Sequence, residues 1–141
     1  MFESALENII KNDATIATYI TVYPAGSSIP AVFSELAPEK AILPYIVFRI
    51  SQSSDENAAV TPFTIFIDYF DYNKSAVNSR IAVNQLINIL DGVALEHDRF
   101  NKIRIFFYAG SPVQEEDPRN IHYNLQFTAR GGRKSYIDNN Y

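Results

Sequence analysis

The alternation of apolar and polar residues near the C-terminal end constrains the fold of this chain most strongly. Ile121, Tyr123, Leu125 and Phe127 alternate with His122, Asn124, Gln126 and Thr128. Successive side chains of a β-strand point to opposite faces, so one face of this segment packs on a core while the other meets water. The pattern predicts a half-buried strand over residues 120–130, in a sheet that helices cover on one face.

Three further segments have the composition of strands. Residues 45–51, 63–70 and 102–109 are rich in β-branched and aromatic side chains. The polar stretch 51–57 predicts a hairpin between the first two, and a turn containing Gly110, Pro112 and Pro118 separates the third from the last strand. Between the two hairpins we predict a helix that Asn73 or Ser75 caps, that ends near Leu90, and that Gly92 terminates.

The N-terminal region predicts helix followed by an irregular segment. Phe2, Leu6, Ile9 and Ile10 recur at helical spacing, and Asn12-Asp13 interrupts the pattern before a second turn with Ile16, Tyr19 and Ile20. The prolines between residues 23 and 44 forbid a long helix or a central strand there. We expect an ordered loop with short strand pieces in that region.

These elements predict a single α+β domain with the order α-β-β-α-β-β. The expected sheet is four-stranded and mixed, with helices packed on one face and with the second and third strands parallel. The length of 141 residues suits one domain. We place the domain at 1–130 and expect a flexible C-terminal arm over 131–141.

A second row of aromatic residues lies on the face of the sheet that should be polar. Phe66 and Phe70 share a row with Asp68, and Phe106 and Tyr108 share a row with Arg104. Something should cover these aromatics, and two interpretations are open: the N-terminal helix or the proline-rich loop, or a neighbouring subunit. As an interface, the candidate residues are Phe66, Phe70, Arg104, Phe106 and Tyr108.

The residue types needed for catalysis or metal binding are scarce. The chain has no cysteine and two histidines, His97 and His122, which share no metal-ligand spacing. His122 on a polar strand face is interpreted as a surface residue, and Asp71 as a residue that favours the start of the following helix. Glycine-rich phosphate loops and nucleophile motifs are missing from the sequence. We therefore predict no enzyme activity, no cofactor and no bound metal.

Charge and composition bear on partners and location. The net charge of −4 argues against tight binding to nucleic acid, which depends on lysine and arginine. The N-terminal residues have early acids and no long apolar run, so we expect neither a signal peptide nor a membrane span, and a protein made and kept in the cytosol. Two candidate partner loops carry the acids Asp55, Glu56, Glu115, Glu116 and Asp117. The arm has a basic and aromatic cluster, Arg133, Lys134 and Tyr136, suited to an acidic neighbour.

The order of elements and several phrases resemble one protein family. The phrases are Ala37-Pro38 before Leu43-Pro44-Tyr45-Ile46-Val47, then Phe66-Ile67-Asp68-Tyr69-Phe70, then Glu116-Asp117 before the strand 122–130. Over about residues 2–130 the chain resembles the tail completion proteins of long-tailed phages, also called tail terminators or tail-to-head joining proteins.

This resemblance implies a virion structural protein. The family forms a ring, commonly a homo-oligomeric hexamer, that caps the tail tube and offers the joining surface for the head connector. Implied partners are further copies of the chain, the major tail protein and a head connector or neck protein, with DNA passing through the ring without tight binding. The implied location is the tail-head junction of the virion, after assembly in the host cytoplasm.

Two other interpretations remain open at this point. The chain could be a head-completion or neck protein, which would differ in its place within the virion rather than in its class. It could also be a small α+β ligand-binding domain or enzyme that uses one face of the sheet as a pocket with aromatic walls.

Overall fold

The computed structural model describes residues 2–52, 60–72, 76–97 and 100–133. The helices are α1 Phe2–Lys11, α2 Ala14–Tyr19 and α3 Ala76–Leu90. The strands are β1 Val32–Ser34, β2 Tyr45–Gln52, β3 Val60–Tyr72, β4 Ala94–His97, β5 Phe100–Pro112 and β6 Asn120–Arg133. Within these ranges, no helix is both long and apolar enough to cross a membrane.

The strands form one mixed sheet in the order β1-β2-β3-β6-β5-β4. Strand β1 pairs with β2 in parallel, and all other neighbouring pairs are antiparallel. Strands β3 and β5 run in the same direction on either side of β6, as follows from their antiparallel pairing with it. The last strand thus lies in the middle of the sheet, where it pairs along nearly its whole length on both sides.

The predicted sheet of four strands with the order α-β-β-α-β-β is wrong. The described chain has six strands, and the order of elements is α-α-β-β-β-α-β-β-β. Strand β4 was missed because Ala94–His97 is short and contains no β-branched residue. The predicted second and third strands are not neighbours, since β6 is inserted between them, and the parallel pair of the sheet is β1–β2 instead.

The core lies between the helices and one face of the sheet, which we call the inner face. On β3, Phe63, Ile65, Ile67 and Tyr69 are buried there, as their alternation predicts. The apolar side of α1 contributes Phe2, Leu6 and Ile10 to the same cluster, and α3 contributes Ala82, Val83, Leu86 and Leu90. At about 25 cal/mol per Å² of apolar surface removed from water, burial of these side chains is the main stabilising contribution to the fold.

Helix ends follow the local sequence signals. Asp13 caps α2, because its Oδ1 accepts a hydrogen bond of 2.9 Å from the backbone N–H of Ile16. Its other carboxylate oxygen accepts from Gln85 of α3 at 2.9 Å, so the cap also joins the two helices. Gly92 follows α3 with a φ of +82°, which glycine adopts without steric cost, and confirms the predicted helix stop. The predicted caps Asn73 and Ser75 lie outside the described residues.

The sheet curls around α1. This helix contacts both β1 and β4, the two outermost strands of the sheet. Six strands spaced about 4.8 Å apart would span about 24 Å if the sheet were flat. A helix of 10 residues is only about 15 Å long. Contact with both edges therefore requires the edges to bend toward each other, with α1 in the concavity.

Candidate functional site on the outer face of the sheet

The outer face is the side of the sheet opposite the helices, and a row of rings crosses it. Neighbouring ring centroids lie 5.3 Å apart for Tyr23–Phe33, 5.8 Å for Phe33–Tyr45, 5.4 Å for Tyr45–Phe70 and 4.3 Å for Phe70–His122. From Phe33 to His122 the row follows β1, β2, β3 and β6 across the sheet. Such aromatic pairs contribute beyond their buried area, so the row stiffens this face.

The two candidate interface aromatics of β3 are partly covered by the chain itself. Phe70 is stacked on His122 and touches Tyr45, and Arg49 lies over the ring of Phe66 at 5.1 Å. The proline-rich segment adds Glu35, Leu36 and Ala37 above a shallow groove of about 250 Å³ that Phe70 also lines. The loop, rather than the N-terminal helix, therefore covers this part of the outer face, since α1 lies on the inner face.

The two candidate aromatics of β5 are open to solvent. Phe106 is 47% exposed and Tyr108 is 66% exposed. Phe106 is the register partner of Thr128 on β6. The fifth candidate, Arg104, lies one row further along β5 and is also exposed. The exposed part of the predicted patch is thus the β5 side of the outer face.

Arg104 faces a second arginine. Its register partner on β6 is Arg130, which is exposed as well. One guanidinium nitrogen of Arg104 donates to the carbonyl of Gly92 at 3.1 Å. Like charges directly opposite each other on neighbouring strands destabilise the pairing, so this arrangement is costly unless an anion neutralises it.

A polar cluster at the other end of the outer face was not predicted. His122 Nε2 lies 2.7 Å from Asp68 Oδ1, and His122 Nδ1 lies 2.8 Å from Glu115 Oε1. Asn124 donates to the same Asp68 oxygen at 2.9 Å. His122 is therefore a structural link between β3, β6 and the loop before β6, rather than an isolated surface residue. The strand alternation placed it on the polar face, but only the register of β6 against β3 brings Asp68 beside it.

The loop between β5 and β6, residues 113–119, is ordered by its own contacts. Besides the link from Glu115 to His122, the Asp117 carboxylate accepts from the backbone N–H, the Nε and an Nη of Arg119 at 3.0 to 3.1 Å. These bonds hold the pKa of Asp117 below its usual range. Glu116, between them, is exposed. The three acids predicted as a partner or lumen loop thus lie together, two of them bound within the chain.

A different carboxylate lies at the end of β3 on the inner face. Asp71 is 3% exposed, and its Oδ1 accepts from the backbone N–H of Tyr72 at 2.7 Å. The Tyr69 hydroxyl lies 3.4 Å from Asp71 Oδ2. Burial, with the nearby Asp71 charge as a second cause, raises the pKa of the Tyr69 phenol well above its usual value. Asp71 thus bonds to the backbone of its own strand, at the second-last residue of β3.

Among the described residues, no group of three or more His, Asp or Glu side chains is arranged to hold a metal. A cleft of about 230 Å³ lies beside Tyr69 and Asp71, lined also by Thr21 and Asn78. It is smaller than the cavities of 300 to 1,000 Å³ in which proteins commonly bind small molecules. His122 has two carboxylate neighbours but no hydroxyl or other nucleophile among its hydrogen bonds to the described residues.

Several predicted residues fall at the limits of the described chain. Asp55, Glu56, Lys134 and Tyr136 lie outside the described residues. The backbone of Arg133 is described as the last residue of β6 and the register partner of Phe100, while its side chain is not. Strand β6 thus continues three residues past the predicted domain boundary at 130.

Comparison with known proteins finds a likeness in structure but not in sequence. No protein-family model matches the chain, and no curated protein matches it. A solved structure described as the virion of a native gene transfer agent particle contains a chain with a similar fold, with a TM-score of 0.71 and 18% sequence identity. The match covers 92% of this chain and 93% of that chain. The two chains therefore share one fold over nearly their whole lengths.

Proposed function

We propose that this chain is a structural protein of a phage or phage-like virion. The observation that supports this most directly is the fold shared with a chain of a gene transfer agent virion, because the match covers nearly the whole of both chains. Fold alone does not define function. The sequence resemblance to tail completion proteins, which rests on other evidence, points to the same class.

Within that class, we propose that the chain forms a homo-oligomeric ring at the junction of tail and head. The ring would cap the tail tube and present a joining surface to the head connector. The family resemblance implies that it contains six copies of the chain. A closed ring requires each subunit to present two different patches to its neighbours. The exposed aromatics Phe106 and Tyr108 suit the centre of one such patch, while Phe66 and Phe70 support it from the covered side.

The proposal also assigns partner-facing roles to two acidic loops and to the C-terminal arm. The loop with Glu115, Glu116 and Asp117 would face a partner or the lumen, and the same role is proposed for Asp55 and Glu56. Negative charge at a lumen lets DNA pass without binding tightly. The C-terminal arm, with Arg133, Lys134 and Tyr136, would reach an acidic neighbour.

The test is assembly of the purified protein with and without tail tubes, followed by light scattering and negative-stain electron microscopy. We expect rings at the ends of the tubes. Phe106→Asp should abolish them without unfolding the subunit, because Phe106 is half exposed. The matched control is Phe107→Asp on the same strand, whose ring packs edge-on against the buried Phe127 at 5.5 Å and whose loss should unfold the protein.

A wild-type protein that stays monomeric even on tubes would contradict the ring. So would a Phe106→Asp variant that unfolds while Phe107→Asp does not. Rings found on isolated heads or connectors but not on tail tubes would instead support the head-completion alternative.

A further inference from the structure

The outer face of the β5–β6 hairpin has a basic end. Arg104 and Arg130 are register partners there, both exposed, and within the described part of the chain neither forms an ion pair with a carboxylate. The bond from Arg104 to the Gly92 carbonyl fixes one of the two guanidinium groups. Two neighbouring guanidinium groups with free N–H donors form a receptor for a carboxylate.

The loop at the other end of the same hairpin presents one carboxylate outward. Glu115 is bound to His122 and Asp117 to Arg119, and Val113 donates its backbone N–H to the His122 carbonyl at 2.8 Å. Glu116 lies between these anchored residues, is exposed, and has no hydrogen bond or ion pair among the residues described. The loop therefore holds Glu116 in place before any partner arrives, which lowers the entropic cost of binding.

We propose that Glu116 of one copy of this chain binds between Arg104 and Arg130 of a neighbouring copy. The two features are separated by most of the hairpin: the strand from Arg104 to Pro112 is about 26 Å long. A chain therefore cannot satisfy its own arginine pair with its own Glu116. Exposed Phe106 lies on the same face between the two ends, so a neighbour placed over the arginines also covers its ring. Tyr108, also exposed, follows at the register shift of β5 between Phe107 and Ala109.

A second copy fits this surface better than a nucleic acid does. The net charge of the chain is −4, and the hairpin loop carries three acids beside the same face. A phosphate backbone would be repelled by that loop, whereas another copy supplies the complementary charge at a preformed position. Because the two patches differ, the contact is head-to-tail and extends to a further copy at each end. The inference rests on the proposed function only in requiring that copies associate.

The test is a charge exchange monitored by light scattering and sedimentation of the purified full-length chain. We expect Glu116→Arg alone, and Arg104→Glu with Arg130→Glu, each to raise the dissociation constant for self-association at least about tenfold. All three changes together should restore association, because the charges are complementary again. Glu39→Lys and Arg80→Glu, at exposed positions away from the hairpin, serve as matched controls that should change little.

Arg130→Gln provides a variant that keeps the strand and removes one charge. Circular dichroism melts verify that each variant is folded. A further variant, Asp55→Asn with Glu56→Gln, tests whether the acids that precede β3 in the sequence bind the arginine pair instead of Glu116. Loss of association in that variant but not in Glu116→Arg overturns the proposal, as does failure of the triple exchange to restore association.

Two further outcomes separate this contact from the proposed function. If the charge variants still assemble while Phe106→Asp does not, the ring remains and the Glu116 contact is wrong. If the wild-type protein binds duplex DNA in a salt-dependent way, and the arginine variants lose this binding while their self-association is unchanged, the arginine pair is a nucleic-acid site. The proposal is then also wrong. A wild-type protein that is monomeric in every condition contradicts both.

Discussion

At the scale of single residues, His122 connects strand β6 to strand β3 and to the loop that precedes β6. Its imidazole is hydrogen-bonded to Asp68 on the neighbouring strand and to Glu115 in the loop. It also stacks on the ring of Phe70. Its side chain is 15% exposed, and that of Asp68 is 14% exposed. Hydrogen bonds to a partly buried carboxylate contribute more than those between neutral groups in water.

We expect His122→Phe to lower the free energy of unfolding by about 1 to 3 kcal/mol. The phenyl ring keeps the stacking on Phe70 but removes both nitrogens, so Asp68 retains Asn124 as its described side-chain donor. Urea denaturation measures the change. Thr128→Val, on the same face of the same strand, is the control and should have little effect. An unchanged midpoint for His122→Phe would mean that the cluster adds nothing to stability.

The second residue-scale prediction concerns Tyr69 and alkaline pH. Because its folded-state pKa lies above the ordinary value near 10, the fold favours the protonated phenol. The stability that this provides is fully present below pH 10 and is lost as the pH rises toward the folded-state pKa. Absorbance at the phenolate band should show Tyr69 titrating only as the protein unfolds.

Tyr69→Phe is the matched variant for that titration. It removes the ionisable group and should make unfolding less sensitive to pH above 10, while circular dichroism reports the fold. If Tyr69 titrates together with the exposed tyrosines in a folded protein, its phenol is not shielded as described.

At the scale of elements, the end of β6 determines where the domain ends. Gly131 is buried and is the register partner of Ile103 on β5 and of Thr61 on β3. A chain that stops after Arg133 should therefore melt at the temperature of the full chain. A chain that stops after Arg130 should melt lower, because β3 and β5 lose their pairing with residues 131–133 of β6. Equal melting temperatures for both truncations would show that these last pairs are dispensable.

Assembly of the truncated chains tests the arm separately. If the segment after Arg133 contacts an acidic neighbour, its removal should weaken ring formation while the melting temperature stays the same. Unchanged assembly of the shorter chain would contradict a role for Lys134 and Tyr136.

Elements with a strong periodic pattern were predictable from the sequence, and those formed by long-range pairing were not. The alternation along β3 and the helical spacing in α1 identified core residues, and the alternation along β6 did so for Leu125 and Phe127 but not for Ile121, which lies outside the core. These patterns were readable because each lies within one element. Strands β1 and β4 have three and four residues, and they exist because neighbouring strands offer hydrogen bonds to them. The Asp68–His122 contact joins residues 54 positions apart, so only the strand register brings it about.

At the scale of the whole molecule, the proposed association should depend on ionic strength in two parts. The contact of Glu116 with the arginine pair is electrostatic and weakens as the screening length falls from about 10 Å at 0.1 M salt to about 3 Å at 1 M. Burial of Phe106 and Tyr108 is not screened. We expect wild-type association to weaken with salt and then level off, as measured by light scattering.

A variant separates the two parts of that dependence. Glu116→Gln should associate more weakly at low salt and approach the wild type at high salt, where the charge contributes little. Parallel curves for the two proteins at all salt concentrations would mean that Glu116 makes no charged contact.

The position of α1 inside the curled sheet has a consequence for how the chain folds during synthesis. The helix leaves the ribosome before the sheet, and one of the edges that enclose it, β4, is made much later: Leu95 follows Leu6 by 89 residues. At 5 to 20 residues per second, synthesis leaves the apolar side of α1 without part of its enclosure for roughly 4 to 18 seconds. The central strand β6 comes later still, so β3 and β5 remain without their shared partner until it has been made. Contacts this distant in sequence make folding slow, and until β6 has been made they leave apolar surface of the sheet and of α1 open to aggregation.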